Sequence, residues 1–142
     1  MLARGGLVFV LLAGLSCVSS RLDTNRLHAQ EFGAIAAIRA VNAAQVQYSS
    51  MYSHFAGSLI ELGPASGAAS ASAADLIPAD LASGVKQGYR FTLTSAGMGY
   101  SITAVPTVFG STGVRSFYSD QTLTIRENEG PAPATVTSPE VR

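Results

Sequence analysis

The chain has 142 residues, enough for one domain and a targeting segment. Hydrophobic residues make up 47% and charged residues 13%, which argues against a disordered polar chain. Nine basic residues balance nine acidic ones, Lys86 is the one lysine and no basic patch stands out, which argues against nucleic-acid binding through phosphate neutralisation.

Residues 7–19, "LVFVLLAGLSCVS", form an apolar run behind Arg4. A positive residue followed by a short apolar stretch is the shape of a secretory signal. The run is shorter than the roughly 20 residues that span a bilayer as a helix. Residues 1–20 therefore read as a signal peptide or a short membrane anchor. Two processing routes fit. A signal peptidase would cut near Ser20, with small Val18 and Ser20 at the recognition positions. Alternatively, "LAGLSC", 12–17, resembles a lipoprotein box, which makes Cys17 a lipidation candidate. Cys17 is the single cysteine, so no intramolecular disulfide forms and the fold rests on its core.

Residues 29–55 lack proline, contain Gly33 as their one glycine and are rich in alanine. Phe32, Ile35, Ile38, Val41, Gln45, Tyr48, Tyr52 and Phe55 recur at steps of three or four, which predicts one face of a helix. The face starts aliphatic and ends aromatic, so its second half suits packing on a sheet. Ala34, Ala37, Ala40 and Ala44 either admit a close neighbouring backbone or simply favour helix.

"SLIELG", 58–63, predicts a helical turn capped by Ser58, with Glu61 at the capping-box position. Residues 64–75 read as a low-complexity Ala/Ser/Gly loop. Residues 74–84 predict a short helix broken or restarted at Pro78.

From Tyr89 the apolar period becomes two. Tyr89, Phe91 and Leu93, then Tyr100, Ile102 and Ala104, predict a hairpin around "SAGMG". Residues 113–119 predict a third strand. Asp120-Gln121 reads as a two-residue turn, and "TLTIRE", 122–127, as a fourth strand with Leu123 and Ile125 inward. Alternation places Tyr89, Tyr100 and Tyr118 in the core rather than in an exposed patch. The tail, 130–142, with its prolines, reads as disordered. The expected organisation is a segment 1–20, one domain over 21–129 (helix 29–55, loop 64–75, sheet 88–127) and the tail. The expected class is α+β: a long N-terminal helix packed on an antiparallel sheet of about four strands.

No constellation for catalysis stands out. The histidines are His28 and His54, and there is no G-x-S-x-G elbow, H-x-x-x-H or C-x-x-C. "GMG", 97–99, is a hairpin turn without a third glycine for a phosphate. A non-enzymatic protein is expected, with no small-molecule substrate and no cofactor apart from the calcium considered below.

Residues 34–63, "AIAAIRAVNAAQVQYSSMYSHFAGSLIELG", resemble the later part of the long helix of bacterial type IV pilins and type II secretion pseudopilins. The matching positions are Ala34, Ile38, Arg39, Val41, Asn42, Ala44 and Tyr48, then Ser58, Leu59, Glu61, Leu62 and Gly63. "LASGVKQGYRFTL" and "FYSDQTLTIR" resemble the strand regions of the same group, so the likeness covers roughly residues 30–127. The resemblance implies a structural or accessory subunit of a pilus or secretion-like filament, in the bacterial cell envelope, inner-membrane-anchored, periplasmic or extracellular. Its partners would be other pilin-like subunits or secretion-machine components, and the membrane through the N-terminus. Ile35, Ile38, Val41, Tyr48, Tyr52 and Phe55 would form the packing or assembly face of the helix. Arg39 and Asn42 would face outward or toward neighbouring subunits. Major pseudopilins bind calcium near their last strands, which points to Asp120, Glu127 and Glu129 as oxygen donors. The chain departs from the family at its start. "ARGG", 3–6, is followed by Leu7, and Leu11 stands where the family carries a glutamate. The alternative expectation is therefore a soluble or lipid-anchored secreted domain of pilin-like fold that binds a partner without polymerising.

Overall fold

A computed structural model describes residues 10–142, with side chains from Ser20 onward. The first element, α1, is a helix over Val10–Tyr52. It starts well before residue 29, and it stops at Tyr52 rather than at Phe55. The stop has a local cause: Ser53 takes the left-handed conformation (φ 63°) while its N–H still bonds the Ser49 carbonyl. Phe55 lies beyond the helix, half-buried, with its ring 4.9 Å from that of Tyr100.

Two short helices follow, α2 over Leu59–Leu62 and α3 over Ala79–Ala82. At α2 the capping differs from the expected box. Ser58 makes no side-chain cap bond, and Glu61 instead accepts from the Gly57 N–H at 2.8 Å. Pro78 immediately precedes α3, where its missing N–H costs nothing.

The sheet has five strands: β1 Val85–Lys86, β2 Tyr89–Ala96, β3 Gly99–Pro106, β4 Arg115–Asp120 and β5 Arg126–Glu129. They lie in sequence order and every pairing is antiparallel. The β2–β3 hairpin closes on two residues, with Ala96 opposite Gly99 and Gly97 at φ 60°. Tyr89, Phe91 and Leu93 of β2, Tyr100, Ile102 and Ala104 of β3 and Phe117 of β4 are buried. They form one cluster with Ile35, Ile38, Val41 and Tyr48 of α1. The result is one long N-terminal helix against a five-stranded antiparallel sheet, an α+β, pilin-like fold.

Three expectations need correction. The link between β4 and β5 is not a two-residue turn, because β4 ends at Asp120 and β5 begins at Arg126, which leaves residues 121–125 to make the connection. Asp120 belongs to β4, opposite Ser101, and its carboxylate accepts from the Thr122 N–H and hydroxyl, which bends the chain away. Leu123 is therefore not an inward strand residue. It sits half-exposed at φ 65°. The tail is not loose either. Ala134 is buried with its N–H on the Ser116 hydroxyl, and Val141 donates to the Ile125 carbonyl, so the last residues run along β5. Prolines signal the absence of helix and strand, and a proline-rich segment can still be tied down by its remaining N–H groups. Finally, Tyr118 is half-buried on the far side from α1, donating to Asp120 at 3.3 Å, while Tyr89 and Tyr100 are core residues.

Candidate functional site

The polar seam between α1 and the sheet fixes where the helix can sit. Asn42 is buried; its amide donates to the Ser119 hydroxyl at 2.9 Å and its carbonyl accepts from the Tyr100 hydroxyl at 2.8 Å. Asn42 thus links α1 to β3 and β4 and does not face outward. Burial pushes the Tyr100 phenol up to about 12, with the nearby Asp120 charge acting in the same direction. One turn along, buried Gln45 both donates to and accepts from the Ala56 backbone, at 2.9 and 2.8 Å. Each of these bonds satisfies a buried polar group that would otherwise lack water.

At the other end of the seated stretch is Glu31, 1% exposed. Its carboxylate accepts from the Val114 N–H at 3.1 Å and from Arg115 at 3.0 Å (Nε) and 2.9 Å (Nη2). Arg115 also donates to Glu127 at 2.6 Å. Burial pulls the Arg115 pKa down, but the two carboxylates outweigh it and hold the guanidinium above its ordinary value. The peptide beside it is fixed by Tyr89, whose hydroxyl donates to the Arg115 carbonyl at 2.8 Å. Gly113 is required here because a Cβ would collide with the Tyr89 ring.

Toward the N-terminus of Glu31 most of the described helix is exposed, with Leu27 and Gln30 half-buried. Residues 20–26, 28 and 29 are exposed, and Leu22 is 64% exposed. At 1.5 Å per residue, residues 20–29 project about 15 Å beyond the domain. Where this segment meets the domain, a groove of about 490 Å³ opens. Phe32, Ile35 and Arg39 of α1 form one wall; Leu123, Ile125 and Val141 form the other. Phe32 is 67% exposed, so it is not part of the core face that its spacing suggested. The helix stripe shifts outward there because the sheet ends, and Glu31 takes the inward position.

The remaining expected residues are placed as follows. Ile35, Ile38, Val41 and Tyr48 are buried within this chain, while Tyr52 and Phe55 pack on the same cluster half-buried. Ala34, Ala37 and Ala44 are buried and Ala40 is exposed. Arg39 is exposed and has no ion pair among the described residues. The three calcium candidates are engaged separately or left apart: Asp120 with Thr122, Glu127 with Arg115, and Glu129 exposed at the end of β5. Among the described residues no group of three His, Cys, Asp or Glu side chains could hold a metal ion. His28 lies 3.9 Å from Glu31, and His54 packs edge-on against Tyr48. The side chain of Cys17 and the leader-like "ARGG" lie outside the described residues. Sequence reasoning missed Glu31 and Arg115 as partners, since an isolated glutamate and an arginine 84 positions later carry no local signal.

Among the described residues no helix is long and apolar enough to cross a membrane, which overturns the expected inner-membrane-anchored location. In comparisons with known proteins, no family model, no curated protein and no solved structure matches the chain.

Proposed function

We infer that the chain is a non-enzymatic pilin-like protein, a structural or accessory subunit of a filament of the type IV pilus or type II secretion kind. The observation that carries the reading is the division of α1: residues 31–48 are pinned to the sheet by core and polar contacts, while residues 20–29 are exposed apart from the half-buried Leu27. An isolated helix of that length is marginal in water, so an exposed projecting turn is best accounted for by a partner that covers it. The sequence likeness over residues 30–127 supports the same reading, and its working parts are surfaces. Sedimentation of the purified full chain over a wide concentration range, with electron microscopy of the same samples, tests it. Oligomers or fibres that grow with concentration are expected; a monomer at every concentration would remove the subunit role.

Leu11, standing where the family carries a glutamate, favours a second reading: a pilin-like domain that binds a different protein and does not polymerise. Capture of one partner by a chain that stays monomeric would support that reading instead.

A further inference from the structure

Residues 131–142 are held to the sheet by hydrogen bonds more than by burial. The first leg, 131–134, crosses the sheet face opposite α1. There the Ser116 hydroxyl donates to the Ala132 carbonyl at 3.1 Å and accepts from the Ala134 N–H at 2.7 Å, and the Asn128 amide donates to the Ala132 carbonyl at 2.8 Å. Strand alternation puts Ser116 and its cross-strand partner Asn128 on that face, because Phe117 belongs to the core under α1. A turn over 135–138 follows, closed by the Thr135 N–H on the Ser138 hydroxyl and the Ser138 N–H on the Thr135 carbonyl, both at 3.0 Å. The second leg returns along the outer edge of β5. The Glu127 N–H donates to the Pro139 carbonyl at 2.9 Å, the Val141 N–H to the Ile125 carbonyl at 3.0 Å, and Arg126 Nη1 to the Ser138 carbonyl at 2.9 Å. The Arg126–Glu140 ion pair is looser, at 3.9 Å.

Little apolar surface goes with these bonds. Ala134 is buried and Val141 half-buried, whereas residues 131–133, 135–137, 139 and 140 are exposed. Hydrogen bonds near water exchange for bonds to water and add modestly to net stability, so a segment with few buried apolar contacts opens more easily than the core. Pro131, Pro133 and Pro139 restrict the backbone of the released segment, so less entropy is lost when it docks again. At its root Gly130 sits at φ 108° with open space where a Cβ would stand. Apart from the Arg126–Glu140 pair, the polar contacts from Ser116, Asn128 and β5 all go to backbone groups of the segment. The edge therefore reads an extended main chain and is largely indifferent to its side chains.

We propose that residues 131–142 are a displaceable strap, which lifts as one unit about Gly130 while the domain stays folded, and that the β5 edge it leaves accepts another extended segment by strand addition. With the strap raised, the Glu127 N–H, the Ile125 carbonyl and the Ser116 and Asn128 side chains lose their partners together, and the groove beside α1 loses its Val141 wall. A segment that fits supplies what the strap supplies. It needs a small residue in the place of Ala134, a carbonyl and an N–H two residues apart for β5, and an acid beside Arg126. Strand addition draws its affinity from main-chain bonds of this kind. With the strap down the edge is covered, which guards it against indiscriminate pairing.

Two measurements on the full chain test the strap. In hydrogen exchange, the Glu127 and Val141 amides should share one opening constant, roughly a hundredfold or more above that of Ile102 in the core. Ser116→Ala cuts only the first leg, yet it should speed exchange at Glu127 and Val141 on the second leg by the same factor, roughly tenfold, with Ile102 unchanged. A response confined to Ala134, or one shared by Ile102, would overturn the single unit. In the second measurement, a fluorescent peptide of residues 131–142 is titrated with the full chain and followed by anisotropy. Ala134→Asp in the chain loosens the resident strap and leaves Ser116, Asn128 and β5 intact, so it should bind the wild-type peptide about tenfold more tightly than the wild-type chain does, because a covered edge lowers apparent affinity. Val141→Asp loosens the other leg and should give the same gain. A peptide that itself carries Ala134→Asp should bind neither chain. Variants that keep Ile102 protected and take up no peptide would overturn the acceptor edge. Loss of Ile102 protection in both variants would show that the strap is part of the core's own stability, and would overturn the proposal as well.

Discussion

The two parts of α1 differ in composition as well as in circumstance, residues 31–48 being rich in alanine and branched aliphatics and residues 20–29 carrying Leu22, Leu27 and Ala29 among polar and charged side chains. Residues 31–48 bury Ile38, Val41, Gln45 and Tyr48 against the sheet and tie down Asn42 and Glu31. Residues 20–29 continue the same helix with Leu22 exposed and Leu27 half-buried. Helix propensity can explain neither half alone, because short helices depend on tertiary packing for most of their stability. The comparison teaches that one half is defined by what the chain itself supplies, and the other by what lies outside it.

The comparison breaks most sharply at the core. Ile38 is fully buried in the centre of the seated half, so Ile38→Ala should cost about 2–5 kcal/mol through lost burial and the cavity left behind. Leu22→Ala in the projecting half should change monomer stability by less than about 0.5 kcal/mol. Urea denaturation of both variants at a concentration where the chain is monomeric checks the contrast. Equal losses would mean that the projecting half is packed after all.

A smaller effect is expected at the junction between the halves. Glu31→Ala removes the inner partner of Arg115 and leaves the Val114 N–H without its acceptor. Breaking a buried ion pair costs roughly 3–5 kcal/mol. The Arg115 side chain is 22% exposed and keeps Glu127, which puts the expected loss at the low end, about 3 kcal/mol. Glu31→Gln retains hydrogen-bonding capacity and should lose less. Denaturant midpoints of the two variants give the order; a larger loss in Gln than in Ala would mean that hydrogen bonding at Glu31 matters little.

Glu31 also marks where sequence reading stops. The class of fold, the helix–sheet order, the β2–β3 hairpin and the core residues Ile38, Val41, Tyr48, Tyr89 and Phe91 follow from spacing, because period 3.6 and period 2 are local properties. The seam does not. Asn42 meets Tyr100 and Ser119 across 58 and 77 positions, and a lone asparagine on an alanine-rich helix reads as a surface residue. The β4–β5 connection was misread for a different reason. "TLTIRE" alternates like a strand, but the Asp120 carboxylate captures Thr122 and turns the backbone before the alternation can be used. The groove was illegible for the same reason, since one of its walls is the residue that this turn throws outward.

At the seam itself the expected loss is smaller again. Asn42→Ala leaves the Tyr100 and Ser119 hydroxyls without their partner, at a cost of about 1–3 kcal/mol. The Tyr100 pKa supplies an independent readout. Burial holds it up to about 12, above its unfolded value, so the stability that it contributes is fully present below about pH 10. That contribution falls as pH rises from there toward 12. Burial also holds the Tyr89 phenol up, so ultraviolet titration of wild type against Tyr100→Phe should assign one of the late phenols to Tyr100, and Asn42→Ala should bring that ionisation down toward 10 by admitting water. A Tyr100 that ionises near 10 in the wild type would mean that the seam is open to solvent.

The smallest free energies belong to the projecting half, and they sharpen the comparison without unfolding anything. Local opening of a segment is set by the contacts that the segment itself makes, which for residues 20–29 include helical hydrogen bonds, the Thr24 hydroxyl on the Ser20 carbonyl, the exposed Asp23–Arg26 pair and the approach of His28 to Glu31. Their amide hydrogens should exchange within a few kcal/mol of full exposure, while those of Ile38, Val41 and Ala44 should exchange only with global unfolding. Ala29→Gly should speed exchange across 20–28 by roughly fivefold, about 1 kcal/mol of helix propensity, and leave residues 34–48 untouched. Raising the concentration into the range of self-association should then slow exchange in 20–29 alone. The seated half is already protected by its own sheet, so protection gained in the projecting half has to come from another copy.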